Sequence, residues 1–254
     1  LEMDGKIWVF GGWLSASTIG TQAYDVYDIA SGTWKALGYA PIANTHAAPA
    51  PDPATHVIYF AGGLFGNYPG VPTNQVWKYD TINNTWTALP AMPENHSSGA
   101  LALVNNQLHY IGGVLDDRET NTGRHLVLDL GNLGAGWQVA PDMPDPRDHF
   151  AHVVLDGKII CIGGEFGHDK THDQQSLVDE YDPIAKTWTR LAALPTPKSH
   201  DESSTWLTSD GKIICAGGQI ADFKSTDEVD EYDPATDAWS IIGRLPVPLQ
   251  GPVV

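Results

Sequence analysis

The sequence contains no long apolar run and few basic residues. No stretch of about 18 consecutive apolar residues occurs in the chain, so no membrane-spanning helix is predicted. Lys and Arg number 14 against 31 Asp and Glu, which gives a formal net charge of -17. A surface with this charge repels phosphate backbones. The composition therefore argues against nucleic acid as a partner and against insertion into a membrane.

Glycine and proline, by contrast, are abundant. The 254 residues include 26 Gly and 18 Pro, a mixture typical of many short strands joined by tight turns. Two adjacent glycines recur at intervals of 51, 50, 51 and 54 residues, and a Trp follows each pair. This period predicts five copies of one supersecondary unit that bury their apolar faces against one another. The pairs are Gly11-Gly12, Gly62-Gly63, Gly112-Gly113, Gly163-Gly164 and Gly217-Gly218.

Each glycine pair ends a short apolar run. The runs are rich in β-branched and aromatic residues, as at residues 7–10 and 159–162, which predicts strands covered on both faces. Turn residues precede several runs, for example at residues 4–5, 105–106 and 156–157. Because Asp-Gly and Asn-rich pairs accept the positive φ of a two-residue hairpin, an antiparallel strand is expected before each run.

The second half of each copy carries an aromatic signature. Four copies have Tyr-Asp at the end of a third strand and a Trp six or seven residues later on a fourth strand. The third copy has Leu128-Asp129 and two extra residues before Trp137, so an irregular outer edge is expected there. The apolar run into Gly-Gly, the Tyr-Asp and the Trp together resemble the Kelch repeat over essentially the whole chain. The resemblance implies a β-propeller of four-stranded blades around a central channel.

The expected fold class is therefore all-β, a five-bladed Kelch-type β-propeller of antiparallel blades that occupies residues 1–254 as a single domain. Residues 250–254 resemble the opening of a first strand, and residues 1–12 resemble a second strand. The N- and C-terminal strands are thus expected to pair in one composite blade, which removes the exposed edges of an open ring. A shortened six- or seven-bladed propeller is the alternative.

The two cysteines, Cys161 and Cys215, lie at the same place in successive copies, two residues before the glycine pair. Equivalent positions of neighbouring units are expected to be farther apart than the roughly 4.4 to 6.8 Å that a disulfide spans between Cα atoms. Both are therefore predicted to be buried free thiols.

Histidines recur near the start of the first strand in four copies. Small residues follow them, which is typical of strands crowded around a narrow channel, so a ring of imidazoles is expected at one mouth. Such a ring can bind a transition metal or a carboxylate, and it can equally serve the fold alone. The recurring histidines are His46, His96, His149 and His200. The polar ligand-binding candidates at this mouth are Arg147, His149, His200 and Asp201.

The loop after the fourth glycine pair holds the densest group of potential metal ligands. We expect it to open at the channel mouth beside His149 and His200. The nitrile-specifier branch of the Kelch family looks similar, with Glu, then Asp four residues later, then His four later; here Asp173 stands in the last position. Two interpretations of this loop remain open, a site for a divalent metal and a solvated polar loop. No other cofactor is predicted. The candidate metal ligands are Glu165, His168, Asp169 and His172.

Aromatic residues in two other loops suggest a binding surface. Trp13 directly follows the first glycine pair, and Phe65 and Tyr68 lie in the equivalent loop of the second copy among Gly and Asn. Aromatic side chains in this setting suit stacking on a sugar or contact with a protein loop. Packing within the loops themselves is the alternative.

The sequence as a whole favours a non-catalytic, monomeric module that recognises a protein or carbohydrate ligand. The alternative is a propeller enzyme, metal-dependent or similar to the sialic acid mutarotases of this family, with Glu165, Arg147, Asp201 and Glu202 as acid and base groups at the same mouth. The acidic, helix-poor composition favours an extracellular or periplasmic location over a cytoplasmic one. Residues 1–4 resemble the interior of a domain, so a leader or flanking domain is expected to have been removed.

Overall fold

The computed structural model describes residues 1–14 and 19–251, and these form five antiparallel four-stranded sheets in chain order. Within each sheet the strands pair in the order in which they follow along the chain. The first sheet contains Glu2–Met3, Lys6–Phe10, Ala23–Asp28 and Thr33–Tyr39, and the second Ala48–Asp52, Val57–Ala61, Val76–Asp80 and Thr85–Ala88. The third contains Ala100–Val104, Gln107–Ile111, His125–Asp129 and Gln138–Val139. The fourth contains Ala151–Leu155, Lys158–Ile162, Val178–Asp182 and Thr187–Arg190, and the fifth Thr205–Leu207, Ile213–Ala216, Glu228–Asp233 and Ala238–Arg244.

The predicted hairpin turns join the first and second strands. Asp4, Asn105 and Asp156 have φ between 50° and 58°, as a two-residue turn of this kind requires. The irregular edge expected in the third copy is also present, because its fourth strand is only two residues long and follows a 3-10 helix, Leu133–Ala135. The prediction of an all-β fold with antiparallel four-stranded sheets is therefore confirmed.

Short hairpins and two short helices extend from one end of the sheets. They lie between the second and third strands or just before the first strands, so they share the face onto which the glycine pairs open. Among the described residues no helix is long and apolar enough to cross a bilayer. The strands are Trp13–Leu14, Ile19–Gly20, Asn44–Thr45, Leu64–Phe65, Val71–Pro72, Glu165–Phe166, Asp173–Gln174, Gln219–Ala221 and Lys224–Ser225, and the helices are His168–Thr171 and Glu202–Ser204.

The sheets pack face to face through apolar clusters and through the repeat Trp. Four buried clusters lie between consecutive sheets of the described chain. The indole N–H of Trp137, Trp188 and Trp239 donates to a backbone carbonyl 47 residues earlier, on the preceding sheet, at 2.8 to 2.9 Å. Each of these Trp side chains therefore fills the space between two sheets and also satisfies its only polar atom there.

The glycine pairs hold the inner ends of neighbouring sheets together. The Gly63 amide donates to the carbonyl of His96, which opens the next sheet, at 2.9 Å. A Cβ on Gly62 would lie 2.7 Å from that same oxygen, and a Cβ on Gly63 would lie 2.6 Å from the carbonyl of Thr45, which precedes the first strand of the second sheet. Two backbone segments thus close on the pair from opposite sides, which leaves no room for a side chain.

The chain ends differ from the rest of the repeat. Glu2–Met3 supplies a short first strand for the first sheet. Leu249 accepts the hydrogen bond of the Gly218 amide, and Gly251 has a φ of 57°, so the described part of the tail has the geometry that opens a first strand elsewhere. The predicted pairing of the two ends involves residues 252–254, which lie outside the described residues. Trp34 is 61% exposed, whereas the other four repeat Trp residues are half-buried.

Cys161 and Cys215 are buried free thiols, as predicted. Burial raises the pKa of the Cys161 thiol to about 12 and raises that of Cys215 as well. Neither is therefore a thiolate near neutral pH, which agrees with a role in packing.

A buried histidine pair lies in the third sheet. His109 Nδ1 and His125 Nε2 are 2.9 Å apart, and both side chains are fully enclosed. Burial lowers the pKa of His109 to about 4 and, together with the charge of His109, lowers that of His125 to about 3. Both rings thus remain neutral in the folded protein at pH values well below their ordinary pKa of 6.5.

Replacing Trp188 should destabilise the protein more than replacing Trp34. Trp188→Ala removes a half-buried indole and its hydrogen bond to Pro141, so we expect a loss of about 3 kcal/mol. Trp34→Ala removes an exposed ring that contacts Tyr27 and should cost about 1 kcal/mol or less. Urea denaturation followed by circular dichroism measures both. Equal losses would mean that Trp34 is covered to the same extent as Trp188.

The histidine pair should make the protein sensitive to acid. Below pH 6.5 the unfolded chain takes up protons that the buried rings do not, so stability falls as the pH drops from about 6.5 towards 4. A single ring with the lowered pKa of His125 contributes about 2 kcal/mol of this loss at pH 5.

His125→Asn provides the test. The variant should be less stable than the parent at pH 8, because it loses the contact with His109, and the deficit should shrink by about 2 kcal/mol at pH 5. Urea denaturation at the two pH values measures the change. An identical deficit at both would contradict the lowered pKa.

Candidate functional site

A chain of backbone hydrogen bonds links the starts of the first strands at the centre of the molecule. The Ser98 amide donates to the His46 carbonyl, the His149 amide to Ser98, and the His200 amide to His149, at 3.0 to 3.1 Å. All four residues have φ between 47° and 58°. The recurring position is therefore occupied by Ser98 in the third copy and not by His96, as the sequence had suggested. His96 lies two residues earlier and is buried under the glycine pair of the preceding sheet.

The side chains at this position line a central cavity of about 450 Å³. His149 stacks on His200 with ring centroids 4.0 Å apart and meets His46 edge to face at 5.3 Å. Trp13, Ser98 and Glu202 are among the other residues of the lining. The circle of imidazole side chains predicted at the channel mouth is thus formed by three copies, through His46, His149 and His200.

The residue before each of these histidines fixes the orientation of the ring. Thr45 Oγ1 lies 2.9 Å from His46 Nδ1, and Ser199 Oγ lies 2.7 Å from His200 Nδ1. In the fourth copy the corresponding residue is a carboxylate, Asp148, which hydrogen-bonds His149 Nδ1. Of these three equivalent positions, two carry a hydroxyl group and the third carries a charged acceptor, Asp148.

This replacement sets the charge of the cavity wall. Burial alone would lower the pKa of His149, but the hydrogen bond and charge of Asp148 raise it to about 9. Burial and, to a smaller extent, the charge on His149 lower the pKa of His46 to about 3 and that of His200 to about 2. At neutral pH the wall therefore presents one imidazolium between two neutral imidazoles.

Three metal-capable side chains converge behind His149 and form a group of four with it. Asp148, His149, Glu165 and His168 each offer one ligand atom, and these atoms all lie within 4.8 Å of one another. His168 Nδ1 is 3.1 Å from Asp148 Oδ1, and Glu165 Oε1 is 3.6 Å from His149 Nδ1. All four residues are buried. The geometry brings Glu165 and His168 together as the sequence predicts and adds His149 from the channel mouth.

Asp148 was missed by the sequence analysis. It reaches Glu165 through an isolated antiparallel bridge between the start of the first strand and the loop after the glycine pair. The same bridge pairs Ser97 with Val114 and Ser199 with Gln219 in neighbouring copies. Aligning the copies at the glycine pairs and at the cavity histidines would have placed Asp148 opposite Glu165.

The other two predicted metal ligands are placed differently. His172 is half-buried at the end of the loop, with its Nδ1 3.6 Å from Glu165 Oε1 and its Nε2 3.8 Å from Asp222. It lies beside the four-residue group and outside it. The side chain of Asp169 lies outside the described part of the chain.

Arg147 and Asp201, predicted to contact a ligand, are buried within the fold. Arg147 is 1% exposed and donates to the Gly163 carbonyl at 2.7 Å, and its Nη2 lies 2.9 Å from Asp179. Asp201 is fully buried, and burial raises its pKa to about 7. The contact of either with a ligand stays a prediction, and burial argues against it.

Of the three predicted aromatic residues, Trp13 lines the cavity, and Phe65 and Tyr68 lie in the corresponding loop of the second sheet. Trp13 meets Tyr68 edge to face at 5.2 Å and lies 5.4 Å from the His46 ring. Tyr68 is 57% exposed and Phe65 is 47% exposed. Loops of the first and second sheets thus join in one aromatic patch, which we define as Trp13, Phe65 and Tyr68. The patch borders the cavity through His46.

The fold and the central cavity define a repeat protein of the β-propeller class. The model of the KLHDC2/KLHL20/DRC7 Kelch-repeats domain matches residues 55–251. The chain therefore belongs to the Kelch-repeat family.

Curated relatives and a solved structure agree with this assignment. The Kelch repeat protein M-T8 of Myxoma virus is 29% identical over 198 residues, which cover 78% of this chain and 36% of that protein. The Kelch-like protein terF of Aspergillus terreus is 27% identical over 268 residues, 97% of this chain and 55% of that protein. The chain thus spans about a third to a half of these relatives. The structure of YjhT has a TM-score of 0.73 at 18% identity, covers 95% of this chain and 82% of YjhT, and supports the fold alone.

Arg147 and Arg190 offer a matched test of the buried ion pair below the site. Both contact the Asp179 carboxylate, Arg147 from within the protein and Arg190 from a side chain that is 44% exposed. Arg147→Met should cost about 3 kcal/mol, because it leaves buried acceptors unpaired. Arg190→Met should cost about 1 kcal/mol or less. Chemical denaturation measures both; a smaller loss for Arg147→Met would show that Arg147 is dispensable for the fold.

Proposed function

We propose that this chain is a non-catalytic binding module that recognises a protein segment on the loop face around the central cavity. The aromatic patch at the rim of the cavity carries the proposal. Its members come from two sheets, and Trp13 contacts both Tyr68 and His46. Aromatic side chains that are partly exposed and held in place are the anchors that protein interfaces use most.

The composition of the rim supports a protein ligand. The loops that follow the glycine pairs expose aliphatic as well as aromatic side chains. Together they form a broad, apolar and discontinuous rim above a polar cavity, an arrangement that fits the apolar core and polar pockets of a protein interface. The exposed residues are Leu14, Ile19, Phe65, Tyr68, Val71, Phe166 and Phe223.

The polar groups of the site also favour recognition over catalysis. An acid–base enzyme needs groups that reach the substrate, and among the predicted candidates Arg147 and Asp201 are directed into the fold. Glu165 is buried as well, with its carboxylate close to three imidazole rings. Glu202 is the member of that set that lines the cavity.

A carbohydrate ligand is the second candidate, and the aromatic patch is the observation that favours it. Tyr68 and Phe65 present exposed rings in the same loop as Asn67, whose Oδ1 accepts a hydrogen bond from the Gly20 amide at 3.0 Å. Ring faces beside amide groups are suited to sugars. The two candidate functions differ in the class of ligand, protein segment or carbohydrate, and both use the aromatic patch.

Selection of peptides from a displayed random library against the purified chain, with a glycan array in parallel, separates these ligands. Selected peptides should bind at the patch, so Trp13→Ala and Tyr68→Ala should each weaken binding by about 2 kcal/mol, or about thirtyfold, in calorimetry. Trp34→Ala is the matched control, since it removes an exposed aromatic residue elsewhere, and it should leave binding unchanged.

Three results would count against the proposal. Peptides that bind both patch variants as tightly as the parent would place recognition on another surface. Glycans that bind while no peptide does would favour the carbohydrate candidate. Weakening by Trp34→Ala to the same degree would show that the aromatic effect is not specific to the loop face.

A further inference from the structure

We propose that Asp148, His149, Glu165 and His168 form a binding site for one zinc ion at the wall of the central cavity. The site would use one carboxylate oxygen from each acid and one ring nitrogen from each histidine. Two nitrogen and two oxygen ligands are a set that Zn²⁺ accepts in tetrahedral geometry. The proposal is independent of which ligand the loop face recognises.

The distances between the donor atoms suit a four-coordinate ion. Zinc–ligand bonds of about 2.0 to 2.1 Å place tetrahedral ligands about 3.3 Å apart. His168 Nδ1 lies 3.1 Å from Asp148 Oδ1 and 3.8 Å from Glu165 Oε1, and His149 Nδ1 lies 3.6 Å from Glu165 Oε1. His149 Nδ1 and Asp148 Oδ1 are in direct contact. To place the four atoms at the vertices of a tetrahedron, an ion would have to separate His149 Nδ1 from Asp148 Oδ1 and draw in the other atoms, all of which lie within 4.8 Å of one another.

The second oxygen of each carboxylate is held by another group. Asn121 Nδ2 donates to Asp148 Oδ2, and Asn121 Oδ1 accepts the Gly167 amide at 2.7 Å, which fixes the orientation of the Asn121 amide. Gln174 Nε2 donates to Glu165 Oε2 at 3.0 Å. The inner oxygens, Oδ1 and Oε1, are thereby turned towards the histidine nitrogens. Donors that orient ligating carboxylates in this way are typical of metal sites.

An orphaned nitrogen points to the same place. His172 Nδ1 is buried and has no hydrogen-bond partner among the described residues, although it lies 3.6 Å from Glu165 Oε1. Buried polar atoms without a protein partner are uncommon and are usually satisfied by a bound water or ion. A zinc ion bound by Glu165 would place a positive charge next to this lone pair.

Comparison of the copies shows that the fourth is specialised at two paired positions. The bridge between the first strand and the loop joins Thr45 to Leu64, Ser97 to Val114 and Ser199 to Gln219 in the other copies. In the fourth copy both partners of the bridge, Asp148 and Glu165, are acids. A repeat that needed this position only for the fold would not require two buried carboxylates side by side, because their mutual repulsion is costly without a cation.

The nearest buried cations already have acidic partners. Arg147 pairs with Asp179, and Lys198 pairs with Asp230. A divalent ion would take the place of the proton on His149 Nδ1 and would supply two positive charges to Asp148 and Glu165. It would also tie the short helix His168–Thr171 to the start of the first strand of the fourth sheet, next to His149 in the cavity wall.

The test uses the purified chain, stripped of metal with EDTA and then dialysed free of it. Titration calorimetry with ZnCl₂ should show one tight equivalent, and Zn²⁺ should raise the melting temperature because it binds the native state. Co²⁺, which adopts the same geometry and absorbs visible light, should give the intense spectrum of a tetrahedral site.

Matched variants identify the ligands. His168→Ala and Glu165→Gln should each weaken zinc binding by about 100-fold or more, since each removes a direct ligand. His172→Ala is the control from the same loop and should retain the tight equivalent. Asn121→Ala leaves all four ligands in place and should weaken binding about tenfold; it serves as the second variant if His168→Ala does not fold.

The proposal would be overturned by any of four results. The first is the absence of a tight zinc equivalent in the parent, and the second is a Co²⁺ spectrum with the weak bands of a six-coordinate site. The third is zinc binding by both His168→Ala and Asn121→Ala that is as tight as in the parent. Loss of the tight equivalent in His172→Ala alone would place the ion with the sequence-predicted ligand set instead.

Discussion

The hydrogen bond from the second glycine of each pair to the carbonyl that opens the next first strand sets the distance between neighbouring sheets. It occurs at all five pairs, with lengths of 2.8 to 3.1 Å. The backbone approaches so closely that a Cβ on Gly62 or Gly63 would lie within 2.7 Å of a carbonyl oxygen. The Trp contacts at the outer ends and the cavity at the centre both depend on this spacing, because each is built from side chains of two or more sheets.

This constraint also decides where the copies are able to differ. The glycines and the carbonyls that they bind are committed to the fold, whereas the side chains one and two positions later face the loop surface or the cavity. Thr45, Asp148 and Ser199 therefore occupy one structural position with different chemistry, and each contacts the Nδ1 of the histidine that follows. The imidazolium of His149 comes from one such difference, and the acidic pair behind it combines that difference with Glu165 on the other side of the bridge.

The sequence predicts the sheets well and the site only in part. The glycine pairs, turn residues and Trp residues have fixed spacing and local causes, so the five sheets, the hairpins and the irregular third edge could all be read from them. His96 was assigned to the cavity because it is a histidine at a nearly correct distance, and a two-residue shift places Ser98 there instead. No local sequence pattern marks Asp148 as a site residue, because its role depends on Glu165, which the folded loop places opposite it across a β-bridge.

The loop face combines two kinds of surface that recognise a ligand by different means. The rim is apolar and borne by loops of several sheets, whereas the floor is a rigid set of imidazoles whose backbone is tied by inter-sheet hydrogen bonds. Burial keeps His46 and His200 neutral, and Asp148 keeps His149 charged. A ligand that places an apolar side chain on the aromatic patch and a hydrogen-bond acceptor towards His149 would use both surfaces at once. Because the rim varies between copies while the floor is fixed by the fold, affinity would arise mainly from the rim and orientation from the floor.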